Sequence, residues 1–425
     1  MIINIKLYKT VRMKIFTLII GLMTALGAAA QNSGTTGPLN WSYNAATKTL
    51  SISGKGAMPD YAFPGGTDRP WYAFRDDMEK ITIGNGISTV GKNAFTRCGK
   101  VKSIILPTTL TKIEFHGFSF CKALQSITLP AALTEIGSYA FLGCSALTAF
   151  KVDAGNAHFT AADGVLYNKA KTRLIYYPLG KAATSFSVPV GVSTIGEYSF
   201  DGAAKLQSIT LPAGIKTIEF QAFEFCTALQ SIVLPEGITD ISHYTFFGCT
   251  ALQSIVLPTT LTTIKYNAFT DCTSLKSIRI PSAVTSIENS AFSGCKALQE
   301  VIVGWDVPLS IDANVFERFT LSGVTLRVPK GTKAKYQTAP VWKDFKINET
   351  TANQTIDGLR VYAADGALHL TLPKAEKVHI YHVSGAMVKT LVLPAGDHVQ
   401  PLPSGVYVVR VGERVTKILK VKNEK

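Results

Sequence analysis

Seven cysteines are the first side chains in this sequence that could do chemistry, and their spacing argues against most of it. Cys98, Cys121 and Cys144 lie 23 residues apart. Cys226, Cys249, Cys272 and Cys295 continue the same phase, with Ala203 in the intervening place. A structural zinc site needs ligands clustered at C-x-x-C-type spacing, and none is present. Disulfides are the usual fate of cysteines in an oxidising compartment. Here the number is odd and every thiol would project in parallel from an equivalent position. Reduced, buried cysteines acting as small hydrophobes are therefore expected. Four of the seven histidines, His369, His379, His382 and His398, fall near the end of the chain. His379 and His382 would face opposite sides of a strand, which makes them poor joint ligands. No G-x-S-x-G, H-E-x-x-H, phosphate-cradling or dinucleotide motif occurs. The carboxylates are dispersed, without the facing pair a glycosidase needs. No catalytic residue, metal or cofactor is expected, and the chain reads as non-enzymatic.

Binding chemistry has more candidates. Gln207, Gln230 and Gln253 recur at the 23-residue step, each followed by serine. Such a polar, nearly uncharged row could meet sugar hydroxyls or a peptide backbone, or could simply bond along itself and to water. Phe115, Phe120, Phe220 and Phe225 occupy places that other copies fill with polar residues or glycine. Tyr139, Tyr198, Tyr244 and Tyr266 fall near them. Exposed, these aromatics would be binding anchors; packed on one another, they would be structural. A third candidate is the segment carrying Tyr167, Tyr176 and Tyr177, since loops on a rigid scaffold often hold function.

The element that positions all of these is a 23-residue unit. Copies start at Lys80, Ser103 and Ser126, and again at Ser185, Ser208, Ser231, Ser254 and Ser277, with a degenerate copy from Glu300. In the copy from Ser254, Ile255 and Leu257 alternate with Ser254 and Val256, which predicts a strand with one face inward. Pro258 cannot donate to a ladder and ends it. Leu261 and Ile264 return to the core, and Ala268, Phe269, Cys272 and Leu275 suit a short helical turn closing the coil. One coil cannot bury these groups alone, whereas stacked coils can. The fold expected is mainly β with short helical turns: a leucine-rich-repeat solenoid over residues 80–345, interrupted by an insertion at 149–184. A cap at 31–79 precedes it, and residues 300–345 form a second cap. After a polar linker at 346–355, residues 356–425 lose the repeat. Short alternating stretches there, separated by Asp365-Gly366, Ser384-Gly385 and Ala395-Gly396, predict a small β-sandwich.

The chain has 425 residues and a formal charge of +14, but four basic residues lie before residue 31 and the rest are scattered. No basic run marks a nucleic-acid arm. Residues 1–30 read as a secretory signal: basic Lys14, an apolar run over 15–26, then Gly27-Ala28-Ala29-Ala30 before Gln31. The run is short for a bilayer core of about 30 Å. Cleavage is expected after Ala30, with Met1 or Met13 as the start, and no further membrane span follows.

The recurrent I-x-L-P, T-x-I, A-F and C-x-x-L, as in residues 126–148, resemble the BspA-like leucine-rich repeats of bacterial surface proteins. The likeness extends over about residues 39–345 and includes Ser51-Ile52-Ser53-Gly54-Lys55-Gly56-Ala57-Met58 as part of a cap. It implies a secreted or cell-surface protein that binds an extracellular protein or glycan, with adhesion among the family's roles. No oligomeric state follows from it. The last module, with Val378-His379-Ile380-Tyr381-His382 and Leu402-Pro403-Ser404-Gly405-Val406-Tyr407-Val408-Val409, resembles the sorting domain of the type IX secretion pathway. It has Val361-Tyr362-Ala363-Ala364 where that family places a proline-rich strand. A plain accessory sandwich is the alternative.

Overall fold

The computed structural model describes residues 32–62, 66–349, 360–364, 367–372, 376–382, 386–394, 396–411 and 414–421. The expected signal segment and its cleavage point at Ala30 lie outside them, as do Asp365-Gly366, Ser384-Gly385 and Ala395. The chain divides into two compact units, Met1–His158 and Phe159–Lys425.

Within each unit the 23-residue copy is one coil. In the second unit, Ser185–Ser187, Ser208–Thr210, Ser231–Val233 and Ser254–Val256 form a parallel sheet in that order. Their register steps by one repeat, Ser231 against Ser254 and Ile232 against Ile255. The T-x-I segment is a second, two-residue strand that hydrophobic alternation alone did not reveal. Asp240–Ile241, Thr263–Ile264 and Ser286–Ile287 stack in parallel. The closing turn is a run of i→i−3 bonds interleaved with bonds to the next coil. Ala268 N–H donates to Lys265 O, while Asn267, Phe269 and Asp271 donate to Asn289, Ala291 and Ser293. Every side of the coil therefore satisfies its backbone on a neighbour.

The core is a pile of phenylalanines. In the second unit Tyr177, Phe200, Phe223, Phe246, Phe269, Phe292 and Phe316 stack in sequence. Phe223 and Phe246 are 5.4 Å apart and 1° from parallel. In the first unit Trp71, Phe95, Phe118 and Phe141 do the same. The cysteines line this pile as free, buried thiols. Each one except Cys98 donates to the phenylalanine carbonyl of the preceding coil, as Cys226 does to Phe200 O at 3.2 Å and Cys249 to Phe223 O at 3.1 Å. Cysteine suits the place because it is small, apolar and still a weak donor.

The ends follow the same logic. The N-terminal cap is an antiparallel meander, Ser33–Thr36, Leu39–Asn44 and Thr49–Gly54, whose last strand pairs in parallel with Lys80–Ile83. Trp71 is fully buried there and donates its indole N–H to Ala94 O. The C-terminal cap contains a helix, Lys333–Thr338, and buries Trp342 against Phe316. It extends further than the sequence suggested. Lys346–Glu349 is a strand paired with Thr325–Val328, so four residues assigned to the 346–355 linker belong to the solenoid sheet. Alternation of Ile347 with polar neighbours hid this strand inside a polar stretch.

The insertion is a hairpin. Phe159–Ala162 and Val165–Asn168 pair across Asp163-Gly164, both at positive φ (48° and 76°), the geometry of a two-residue hairpin turn. Arg173–Tyr176 then joins the T-x-I sheet beside Thr194–Ile195. The C-terminal module is two antiparallel sheets over a core that includes Leu368, Leu370, Val378, Ile380 and Val409. This is the β-sandwich expected from the sequence.

Candidate binding surface

Two residues in most coil turns sit in the left-handed region, where side chains beyond glycine and asparagine carry a cost. The first place holds Asn93, His116 and Tyr139 in the first unit and Tyr198, Gln221, Tyr244, Asn267 and Ser290 in the second. The second place holds Arg97, Phe120 and Gly143, and then Gly202, Phe225, Gly248, Asp271 and Gly294. Glycine alternates for a steric reason. A Cβ on Gly248 would fall 2.6 Å from Phe225 Cδ1, and one on Gly143 would fall 2.5 Å from Phe120 Cδ1. Each phenylalanine lies across the coil that follows it.

These turns carry aromatic clusters. In the first unit, Phe115 meets Tyr139 edge-on at 5.4 Å and His116 stacks on Tyr139 at 4.8 Å. In the second unit the rings form a longer connected set. Tyr198 contacts Phe220 at 5.5 Å, Phe220 contacts Tyr244 at 5.9 Å and Tyr244 contacts Tyr266 at 5.4 Å, all edge-on. Phe247 links Tyr244 to Phe225 at 5.6 and 5.4 Å. Phe225 and Tyr266 are exposed, at 47% and 39%.

Two carboxylates lie in the same turns. Asp201 and Glu224 stand one repeat apart on the ladder that Phe247, Thr270 and Ser293 continue. They are 8% and 7% exposed. In the first unit the equivalent step brings Thr96 Oγ1 and Ser119 Oγ to 2.6 Å. The same step in the second unit sets acid against acid. Burial, with the Glu224 charge adding to it, pushes Asp201 up to about 8. Burial pushes Glu224 up to about 7, against the pull of a hydrogen bond donated by Gln221 Nε2. Burial also raises Tyr244, and the Glu224 charge contributes. Three cations of this unit are paired: Arg173 with Glu219, Lys265 with Asp240 and Arg318 with Asp271.

The geometry of a 23-residue coil with a phenylalanine and cysteine spine has a counterpart among known families. The model for the BspA type leucine rich repeat region (6 copies) matches residues 70–179 and 175–299. The chain belongs to the BspA-type leucine-rich repeat family. Solved structures similar to this BspA-type chain include a leucine-rich repeat protein from Eubacterium ventriosum, 26% identical, with a TM-score of 0.47 over 68% of this chain and 94% of that one. A leucine-rich cell surface protein from Faecalibacterium prausnitzii is 22% identical, with a TM-score of 0.43 over 75% and 95%. The pneumococcal vaccine antigen PcpA is 17% identical, with a TM-score of 0.43 over 75% and 99%. No curated protein matches the chain.

The candidates read from the sequence separate on this BspA-type scaffold. Gln207, Gln230 and Gln253 are all exposed, each just before a strand of one parallel sheet, and their main chains bond coil to coil, as in Gln253 N–H to Gln230 O at 2.9 Å. Phe225 and Tyr266 are exposed; Phe220 in the second unit and Phe115 and Phe120 in the first are half-buried. Tyr176 and Tyr177 are corrected: they are 8% and 4% exposed. Tyr177 takes the first place in the phenylalanine stack, because the insertion supplies a coil wall and not a free loop. Asp201, Glu224 and Phe247 were missed. Aligning the repeats would have found them, since acids stand at 201 and 224 where other copies have Thr96, Ser119, Thr270 and Ser293.

Proposed function

We propose that this BspA-type protein is a secreted or cell-surface interaction protein without catalytic activity. It binds an extracellular macromolecule through the aromatic face of its second unit. The observation that carries this reading is Phe225, held at φ 52° with its ring 47% exposed. A left-handed aromatic costs about 1–3 kcal/mol, and an exposed ring returns little burial. Asn267, or glycine as at Gly202 and Gly248, meets the same backbone demand more cheaply. Surface aromatics held against a structural cost are what a contact face requires.

Family membership supports an extracellular setting, in line with a leader cleaved after Ala30. Among the described residues no helix is long and apolar enough to cross a membrane. The sandwich over 356–425 serves as a type IX sorting domain in this reading. The test is a binding screen of the chain from Gln31 on arrays of matrix proteins and glycans, with Phe225→Ala and Tyr266→Ala in parallel. A saturable protein signal lost in both variants supports the proposal. Signal that survives both variants removes the aromatic face from it. Glycan capture is the second reading, favoured by exposed Phe225 lying in the same turn as the recessed carboxylate of Glu224, and a glycan-only signal would establish it.

A further inference from the structure

Asp201 has no structural use that the fold explains, and the only side-chain partner of Glu224 among the described residues is Gln221 of its own turn. At the equivalent ladder step the first unit makes a hydroxyl–hydroxyl hydrogen bond between Thr96 and Ser119. Here two acids replace it, and Asp201, more than nine-tenths buried, has no side-chain hydrogen bond among the described residues. Two carboxylates pressed together repel, and a buried polar group without a partner is costly. A cation seated between them would remove both penalties. The surroundings fit one kind of cation. The same turns present the linked rings of Phe220, Tyr244, Phe247 and Phe225, with Phe225 open to solvent. Ring faces attract a cation, and an apolar stem packs along them. Arg173, Lys265 and Arg318 hold acids of their own.

We propose that Asp201 and Glu224, with the rings of Phe225 and Phe247, form a receptor for one lysine or arginine side chain of a protein partner. The inference rests on the proposed binding role of this face and names the chemistry it selects. A lysine or arginine reaches a recessed acid pair because its charge sits at the end of a long apolar stem. A metal ion has too few ligands here, since the described residues contain no group of three or more acids, histidines or cysteines placed to hold one. Glutamate or an acetylated lysine would bring no charge to offset the pair.

The test uses the full-length chain and pentapeptides carrying one lysine, arginine, N-acetyllysine or glutamate, read by calorimetry at low salt. Lysine and arginine peptides are expected to bind, and the other two to fail. The isosteric double variant Asp201→Asn/Glu224→Gln is expected to lose at least about tenfold in affinity, the scale for removing a desolvated charge partner. The change relieves repulsion, so the variant remains folded by circular dichroism. Equal binding of lysine and N-acetyllysine peptides, or undiminished lysine binding by the double variant, overturns the receptor. The two proposals fail separately. An array partner lost in Phe225→Ala but kept in Asp201→Asn/Glu224→Gln upholds the binding face and overturns the cation receptor.

Discussion

The acid pair makes a quantitative prediction about stability. Asp201 moves from an ordinary 3.8 to about 8, a span of about four pH units, and Glu224 from 4.5 to about 7. Each unit is about 1.4 kcal/mol, so Asp201 alone would account for about 6 kcal/mol. Their mutual repulsion belongs to both, and they titrate as a pair. Counting it once, within the Asp201 figure, and adding about 3 kcal/mol for the burial of Glu224 puts the joint effect at about 9 kcal/mol. The folded-state values are raised, so the folded chain holds protons the unfolded chain has released. Stability is therefore full below about pH 4 and is lost as pH rises through 7 and 8. The assay is thermal unfolding followed by circular dichroism from pH 4.5 to 8.5, comparing the natural chain with Asp201→Asn/Glu224→Gln. Burial lowers His116, so its protonation works in the opposite direction, but that term is common to both proteins and cancels. Burial pushes the Cys98 thiol up to about 11, above the window. The difference in midpoint should be small at pH 4.5 and reach about 20 °C by pH 8.5, taking about 2–4 °C per kcal/mol for a unit of this size. Parallel curves across the window would refute the placement of two acids in one buried step.

Three further outcomes test the scaffold. Gly248→Ala should destabilise the second unit, because φ is 68° and the new Cβ would meet Phe225 at 2.6 Å. Adding Phe225→Ala should recover about 1 kcal/mol of that loss in a double-mutant cycle of denaturant midpoints, and strict additivity would sink the contact. All seven thiols should resist iodoacetamide in the native chain and react after unfolding, which mass spectrometry would count. A Cys249–Cys272 bridge in unreduced protein would contradict the free-thiol ladder. Leu257→Asp puts a charge at a position 6% exposed in a core shared by successive coils, so a loss above about 4 kcal/mol is expected. An unchanged melting profile would remove Leu257 from that core.

Particular residues show how far the sequence carried. The strand at Ser254–Val256 was legible because Ile255 and Leu257 alternate with polar neighbours and Pro258 marks the end. The cysteine phase was legible because one residue type recurs in a fixed register. Thr263–Ile264 was not, because two residues are too few to show a period and the ladder that makes them a strand comes from other coils. Tyr177 misled for a related reason. An irregular segment suggests a loop, yet the hairpin returns the chain to the repeat phase and seats the ring on Phe200.

The acid pair was hidden by the form of the signal. Motif searches look for residues close in sequence, whereas a solenoid brings together residues one period apart. Asp201 and Glu224 are 23 positions apart and carry no local context, but folding makes them neighbours in a buried step. The same geometry explains why binding chemistry concentrates on the turns. Strand positions facing inward are committed to the phenylalanine and cysteine spine, and a change there is felt by adjoining coils. A turn position has a different constraint, a left-handed backbone, which glycine meets at least cost. Any large side chain kept at such a place is retained against that cost, as Phe225 is. Reading a repeat protein for function therefore means aligning its coils and asking which side chains break the ladder without serving it. Phe225 and Asp201 are two such side chains among the described residues, and they lie in adjacent coils of one unit.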